Sequence, residues 1–178
     1  MTGREAQTRG RVRGLAAGVL LAVLTATACD RPSAPADQPD RFSHALGEDI
    51  SGYYRPVEPV RIGAWSLGYV FIGQTAAFDA FEGGQPDAAF APVMLEFEDA
   101  DERTIRVLPT SYAVTPTRVR FEGRSPDLGP VAFEGRLDPA ALATARRNLG
   151  DEAAVLTGTL SVGGVIRPGV RLRWWMGD

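Results

Sequence analysis

Few side chains in this 178-residue chain are suited to covalent or acid–base chemistry. It has one cysteine, Cys29, one histidine, His44, and no lysine, all 19 basic residues being arginine. Nucleophilic catalysis needs a thiol, hydroxyl, amine or carboxylate activated by its surroundings. The only thiol stands directly behind an apolar run, and a lone cysteine forms neither an internal disulfide nor a cysteine metal cluster. His44 lies near a proline-rich stretch and reads as a solvated loop residue, so a zinc site would have to be mostly carboxylate. Glu96, Glu98, Asp99, Asp101 and Glu102 offer the hard oxygens that calcium takes, but the run lacks the spacing and turn glycine of an EF-hand. It reads as a solvated hairpin tip. Gly63, Gly68 and Gly73 are separated by aliphatic and aromatic residues without a P-loop lysine, and no spacing positively pairs two carboxylates for hydrolysis. The expectation is therefore no catalytic residue, no metal and no cofactor.

Aromatic residues are the better pointer to binding. Tyr53 and Tyr54 are expected just before the first strand, Trp65 and Tyr69 within a glycine-broken strand, and Trp174-Trp175 at the end of the chain. Neighbours on a strand face opposite sides, so one tryptophan of the last pair belongs to the core. The other, taken as Trp175, stands beside Arg171 and Arg173 as a candidate binding surface, where cation–π stacking is available.

The surroundings of Cys29 assign it a different role. Arg4, Arg9, Arg11 and Arg13 precede the uncharged stretch LAAGVLLAVLTATA at 15–28, which fits a signal-peptide apolar region and is short for a membrane span. Ala26-Thr27-Ala28 satisfies the small-x-small cleavage rule, placing the cut between Ala28 and Cys29. The same residues with Cys29 resemble the lipobox of bacterial lipoproteins, although Ala26 stands where leucine is usual. That resemblance implies diacylglyceryl and palmitate-type acylation at Cys29 and anchoring at the periplasmic or outer face of the envelope. Asp30 resembles the retention signal of some enteric inner-membrane lipoproteins. A soluble periplasmic or secreted product of plain cleavage is the alternative, and an uncleaved anchor the minor one.

The expected organisation is a signal peptide over 1–28, a lipid-attachment cysteine with a proline-rich tether over 29–41, and one domain over 42–178. The segment DRPSAPADQPD at 30–40 has nothing to bury and reaches roughly 30 Å when extended. From Cys29 onward the chain carries 15 arginines against 21 acids, a formal charge of −6. Net charge of this sign makes nucleic acid and anionic lipid surfaces poor partners for the domain as a whole.

The elements expected to position these residues are mostly strands. Val93, Leu95 and Phe97, then Val119 and Phe121, then Val131, Phe133 and Leu137 alternate with polar neighbours, with a turn at Ser125–Gly129. Leu156, Leu160 and Val162 lead through Gly163-Gly164 to Val170, Leu172 and Trp174, a hairpin signature. Val60 to Ile72 is strand-like and broken at Gly63 and Gly68. Asp138-Pro139 opens a helix expected to bury Leu142, Ala145 and Leu149 and to close at Gly150. Thr75 to Gly83 predicts a shorter helix presenting Phe78 and Phe81. The fold class is α+β, mainly β: an antiparallel sheet or incomplete small barrel with one or two packed helices.

The stretch LTGTLSVGG at 156–164, followed by Pro168, resembles the penultimate hairpin of the YceI-like lipocalin-type barrels. That resemblance implies an enclosed polyisoprenoid-type ligand and carries over no ligand residues. The leading expectation is a membrane-tethered, non-enzymatic binding or structural lipoprotein, held by its acyl chains and facing an envelope protein. A carrier of a small apolar ligand comes second, and a carboxylate-dependent hydrolase third.

Overall fold

The computed structural model describes residues 41–85, 87 and 89–177; the leader, Ala28, Cys29 and the expected tether up to Asp40 lie outside the described residues. Strands form where apolar side chains recur every second residue, burying one face and leaving the other in water. In β5 (Val93–Glu98), β8 (Arg118–Ser125) and β9 (Gly129–Leu137), the inward residues are the ones whose alternation predicts them. The β8–β9 turn is fastened by Ser125 Oγ, which accepts from the Asp127 N–H at 3.2 Å, and Gly129 takes φ 73°. The hairpin joining β10 (Leu156–Val162) to β11 (Val165–Trp175) turns at Gly163 and Gly164, with φ 56° and 88°. Two successive positive φ values define the turn whose twist matches flanking strands. β4 (Trp65–Ile72) is preceded by the short β3 (Arg61–Ile62), and the two are joined across Gly63.

Four strands carry weaker patterns: β1 (Phe42–His44), β2 (Gly52–Pro56), β6 (Thr104–Val107) and β7 (Pro109–Thr115). Tyr53 and Tyr54 therefore do not precede the strands; they lie within β2, paired with β11 on one side and β4 on the other. The sheet order is β1-β7-β8-β9-β10-β11-β2-β4-β5-β6, with β3 paired to β4. Every pairing is antiparallel except β1 with β7.

The sheet curls strongly into a half-barrel. Bulges interrupt its ladders between Leu67 and Tyr69, Pro109 and Ser111, and Gly158 and Leu160, where an extra residue bends and twists the strand. Gly135 and Gly158 are register partners, and a Cβ on either would lie 2.8 or 2.9 Å from the Phe133 ring. The ring thus occupies the inside of the bend. β6 and β7, far apart in the sheet order, are separated in sequence by Leu108 alone. The Leu108 carbonyl comes within 2.6 Å of where a Cβ on Gly123 would stand, so glycine lets this link pass over β8.

Two helices complete the domain. α1 (Thr75–Glu82) buries Phe78 and packs Phe81 edge-on to Phe42 at 5.2 Å. α2 (Pro139–Arg147) starts as expected: Asp138 Oδ1 accepts from the Ala140 and Ala141 N–H groups at 2.9 and 3.0 Å, and Leu142 and Ala145 are buried. Its end differs. Asn148 leaves the helix in an extended conformation and its carbonyl accepts from Asp151 N–H at 2.9 Å, so Leu149 falls outside the helix and is 67% exposed. The interior is filled by side chains, among them Tyr54, Phe97, Phe121, Phe133, Leu156 and Leu172.

Candidate functional site

Alternation on the last strand places the two tryptophans on opposite faces. Trp174 turns inward, where its Nε1–H donates to the Ser51 carbonyl at 3.1 Å and its ring carries the Arg146 guanidinium at 5.3 Å. Trp175 turns outward with Arg171 and Arg173. The cation stacked on Trp175 is neither of these, however; it is Arg55 of β2, 4.8 Å from the ring. Arg173 reaches instead to Glu152 Oε1 at 2.6 Å. Sequence alone misses Arg55 because the pairing of Arg173 with Arg55 joins strands far apart in the chain.

Trp175 belongs to a larger aromatic field on the outer face. Tyr53 lies 5.5 Å from Trp175, 4.9 Å from Tyr69 in an edge-to-face contact, and 5.1 Å from Phe71. Phe71 in turn meets Phe90 at 5.6 Å, and Phe90 and Met176 are 40% and 61% exposed. A hollow of about 360 Å³ lies among Tyr53, Phe71, Gln74, Phe90 and Met176. At its margin Tyr69 donates to Glu96 Oε2 at 2.7 Å, and Arg106 holds the same oxygen at 3.0 Å. Desolvation, with the Glu96 carboxylate beside it, pushes the Tyr69 phenol up to about 12.

The same face becomes basic across β8 and β9. Arg118 stands directly opposite Arg136, and Arg120 opposite Glu134. Glu134 is paired with both Arg118 and Arg120; their hydrogen bonds, Arg118's first, hold its carboxyl below its usual value. Among the described residues Arg136 has no carboxylate within ion-pair distance. Thr157, Thr159 and Ser161 of β10 line the other side of this groove, which encloses about 560 Å³. Its register was available from the hairpin: a turn centred on Asp127 sets 118 against 136 and 120 against 134.

His44 is not a solvated loop residue. It lies on β1 with its side chain 12% exposed, stacked on Phe78 at 5.0 Å, because β1 is laid against α1. Its Nδ1 is 2.9 Å from Glu82 Oε2 and its Nε2 is 3.4 Å from Asp79 Oδ1. Tyr112 of β7 donates to the other Glu82 oxygen at 2.8 Å. Asp79 and Glu82 therefore converge, but on a ring that joins β1 to α1, and Glu82 is further engaged by Tyr112. The arrangement fastens a helix across the open side of the half-barrel.

Of the acidic run, Glu96 and Glu98 lie on β5, and Glu96, only 16% exposed between Tyr69 and Arg106, is not part of a solvated tip. Asp99, Asp101 and Glu102 form the expected β5–β6 connection. Asp99 is its anchor: Oδ1 accepts from the Asp101 and Arg103 N–H groups at 2.9 and 3.0 Å, and Oδ2 from Arg103 Nε at 2.8 Å. Its carboxylate is 5% exposed and committed to the turn. Among the described residues no three or more His, Cys, Asp or Glu side chains are placed to hold a metal ion, and no described helix is long and apolar enough to cross a membrane. Aromatic faces, guanidiniums and hydroxyls thus share one sheet surface. Compared with known protein families, curated proteins and solved structures, the chain matches none.

Proposed function

We propose that this chain is an exported lipoprotein of the bacterial envelope, tethered through acylated Cys29, whose single domain is a non-enzymatic binding module. The observation that carries the binding role is the outer-face field of Trp175, Tyr53, Tyr69, Phe71 and Phe90, set on a sheet whose inner face is already packed. Soluble domains rarely leave contiguous apolar surface in water unless it meets something. Aromatic residues with arginine beside them are the composition that binding surfaces favour.

A filled interior lends no support to an enclosed apolar ligand, and the engagement of Asp79 and Glu82 lends none to hydrolysis. The tether reading rests on the leader and on Cys29 following Ala28. Two or three acyl chains suffice to hold a protein on a bilayer, since each buried methylene contributes about 0.8 kcal/mol.

The test is metabolic labelling of the full chain expressed with its leader. Wild type should incorporate labelled fatty acid and partition into detergent, and Cys29→Ser should lose both properties. Maturation of wild type without label, in soluble form, would falsify the lipoprotein assignment.

A further inference from the structure

We propose that the outer face of β8–β11 is a binding groove for an anionic polysaccharide, with Arg118, Arg120 and Arg136 taking its acidic groups and Thr157, Thr159 and Ser161 its hydroxyls. The proposal rests on the binding-module reading and names its ligand class.

Charge is segregated in this protein. From Cys29 onward acids outnumber arginines by 21 to 15, yet the outward positions of β8 and β9 carry Arg118, Arg120, Arg124 and Arg136 against Glu122 and Glu134. Like charges directly opposite one another destabilise a sheet. This sheet places two such pairs on its outer face, Arg118 with Arg136 and Arg173 with Arg55. Glu134 offsets Arg118 and Arg120 only in part, and Glu122 is turned toward Ser111, whose hydroxyl donates to its carboxylate at 3.1 Å. At the second pair Arg173 is held by Glu152 and Arg55 stacks on Trp175, so a bound polyanion relieves chiefly the repulsion between Arg118 and Arg136.

The geometry favours a chain over a small ion. Arg118 and Arg120 are each 55% exposed, so each guanidinium contributes little to binding one anion in water. Outward residues on one strand repeat at about 6.8 Å and neighbouring strands stand about 4.8 Å apart, so the cations form an array. An array pays off through multivalency, each further contact being intramolecular. Guanidinium forks match carboxylate, sulfate or phosphate groups.

The remaining surface distinguishes a glycan from other polyanions. Thr157, Thr159 and Ser161 present a row of hydroxyls, each able to donate and accept, as sugar hydroxyls require. Farther along the same face Arg171 leads to Trp175 and Tyr53, aromatic rings tilted 58° to each other whose apolar surface and polar edges suit the margin of a sugar chain.

The experiment uses the full chain and its Cys29→Ser form on immobilised polygalacturonate, dextran sulfate and alginate, with neutral dextran as reference. At least one anionic polymer should retain both forms, retention should fall with salt, and the matching trimer should bind at least tenfold more weakly than the polymer. Arg118→Ala with Arg136→Ala should lose at least tenfold in affinity. Thr157→Val with Thr159→Val should weaken binding while leaving its salt dependence unchanged. Arg61→Ala with Arg147→Ala removes the same charge elsewhere and should bind as wild type.

The proposal is overturned if none of the three polymers is retained beyond neutral dextran, or if the Arg61/Arg147 pair loses as much as the Arg118/Arg136 pair. Tighter binding of the Cys29→Ser form to phosphatidylglycerol vesicles or duplex DNA than to every glycan also overturns it. Loss of acylation with glycan retention intact would sink the tether alone, so the two failures are separable.

Discussion

A single arginine shows how a residue's local role and its tertiary role diverge. At the end of α2, Arg146 complements the helix dipole, a function its position already suggests. Its guanidinium also forks onto the segment before β2, donating to the Asp49 carbonyl at 2.6 Å and the Ser51 carbonyl at 2.7 Å, and its plane covers Trp174. Asp49 joins it at 3.5 Å; burial pushes that carboxyl up, but hydrogen bonds from Ser51 and the charge of Arg146 outweigh burial and leave it below its usual value. Among the described residues Nε is buried without a hydrogen-bond partner, so the fork is held against that donor. Replacing Arg146 with alanine removes two charge-assisted hydrogen bonds and a cation–π contact and should destabilise the domain by about 2 kcal/mol. Thermal unfolding should register that as a drop of roughly 5–10 °C. Lysine keeps the charge but not the planar fork, and should restore less than half of the loss. Equal stability of Arg146→Lys and wild type would show that charge alone is the link. None of this was legible locally, because the partners lie 97 and 95 residues away.

At the level of elements, legibility followed how much each element's stability is written in its own residues. α2 is the clear case: Asp138, Pro139 and the apolar pair Leu142 and Ala145 specify start and face without reference to the rest of the fold. Asp138→Ala should therefore cost about 1 kcal/mol and leave the sheet intact. Circular dichroism at increasing denaturant would test this, and a shift in midpoint below a tenth of that size would deny the cap its role. β5, β8 and β9 were equally readable, since each supplies several inward apolar residues to a sheet with one wet face. β2 was not, because only Tyr54 turns fully inward and its neighbours Arg55 and Pro56 resemble a turn. β1 has three residues and gains its pairing from β7, about 70 positions later, so no local pattern records it. The groove occupies an intermediate position. Its arginines were visible as outward polar residues, and the β8–β9 turn already fixed which of them face each other. What the sequence hid was the placement of β10's hydroxyls beside them, which follows only once the helix-containing connection returns the chain to β9's edge.

For the molecule as a whole, the decisive feature is how the half-barrel is closed. On one side the single residue Leu108 carries the chain from β6 to β7; on the other, α1 bridges the opening by packing Phe78 and Phe81 against Tyr112 and Phe42. Tyr112 locks this bridge by donating to Glu82, and desolvation together with that carboxylate pushes its phenol far above the ordinary tyrosine value. Burial likewise pushes up Tyr54, whose hydroxyl donates to the Ile50 carbonyl at 2.5 Å, and Tyr69 rises to about 12. A phenol whose folded value lies above its unfolded value of about 10 binds its proton more tightly in the native state. The resulting stability is complete below pH 10 and is lost as pH climbs through the folded values. The domain should accordingly keep its denaturant midpoint as pH approaches 10 and lose stability steeply from there upward, with tyrosinate absorbance rising as the fold opens. Tyr112→Phe removes the hydroxyl that ties β7 to α1, so it should lower stability at neutral pH and flatten the alkaline decline. A Tyr112→Phe decline as steep as that of wild type would mean that closure by α1 is not where alkali acts.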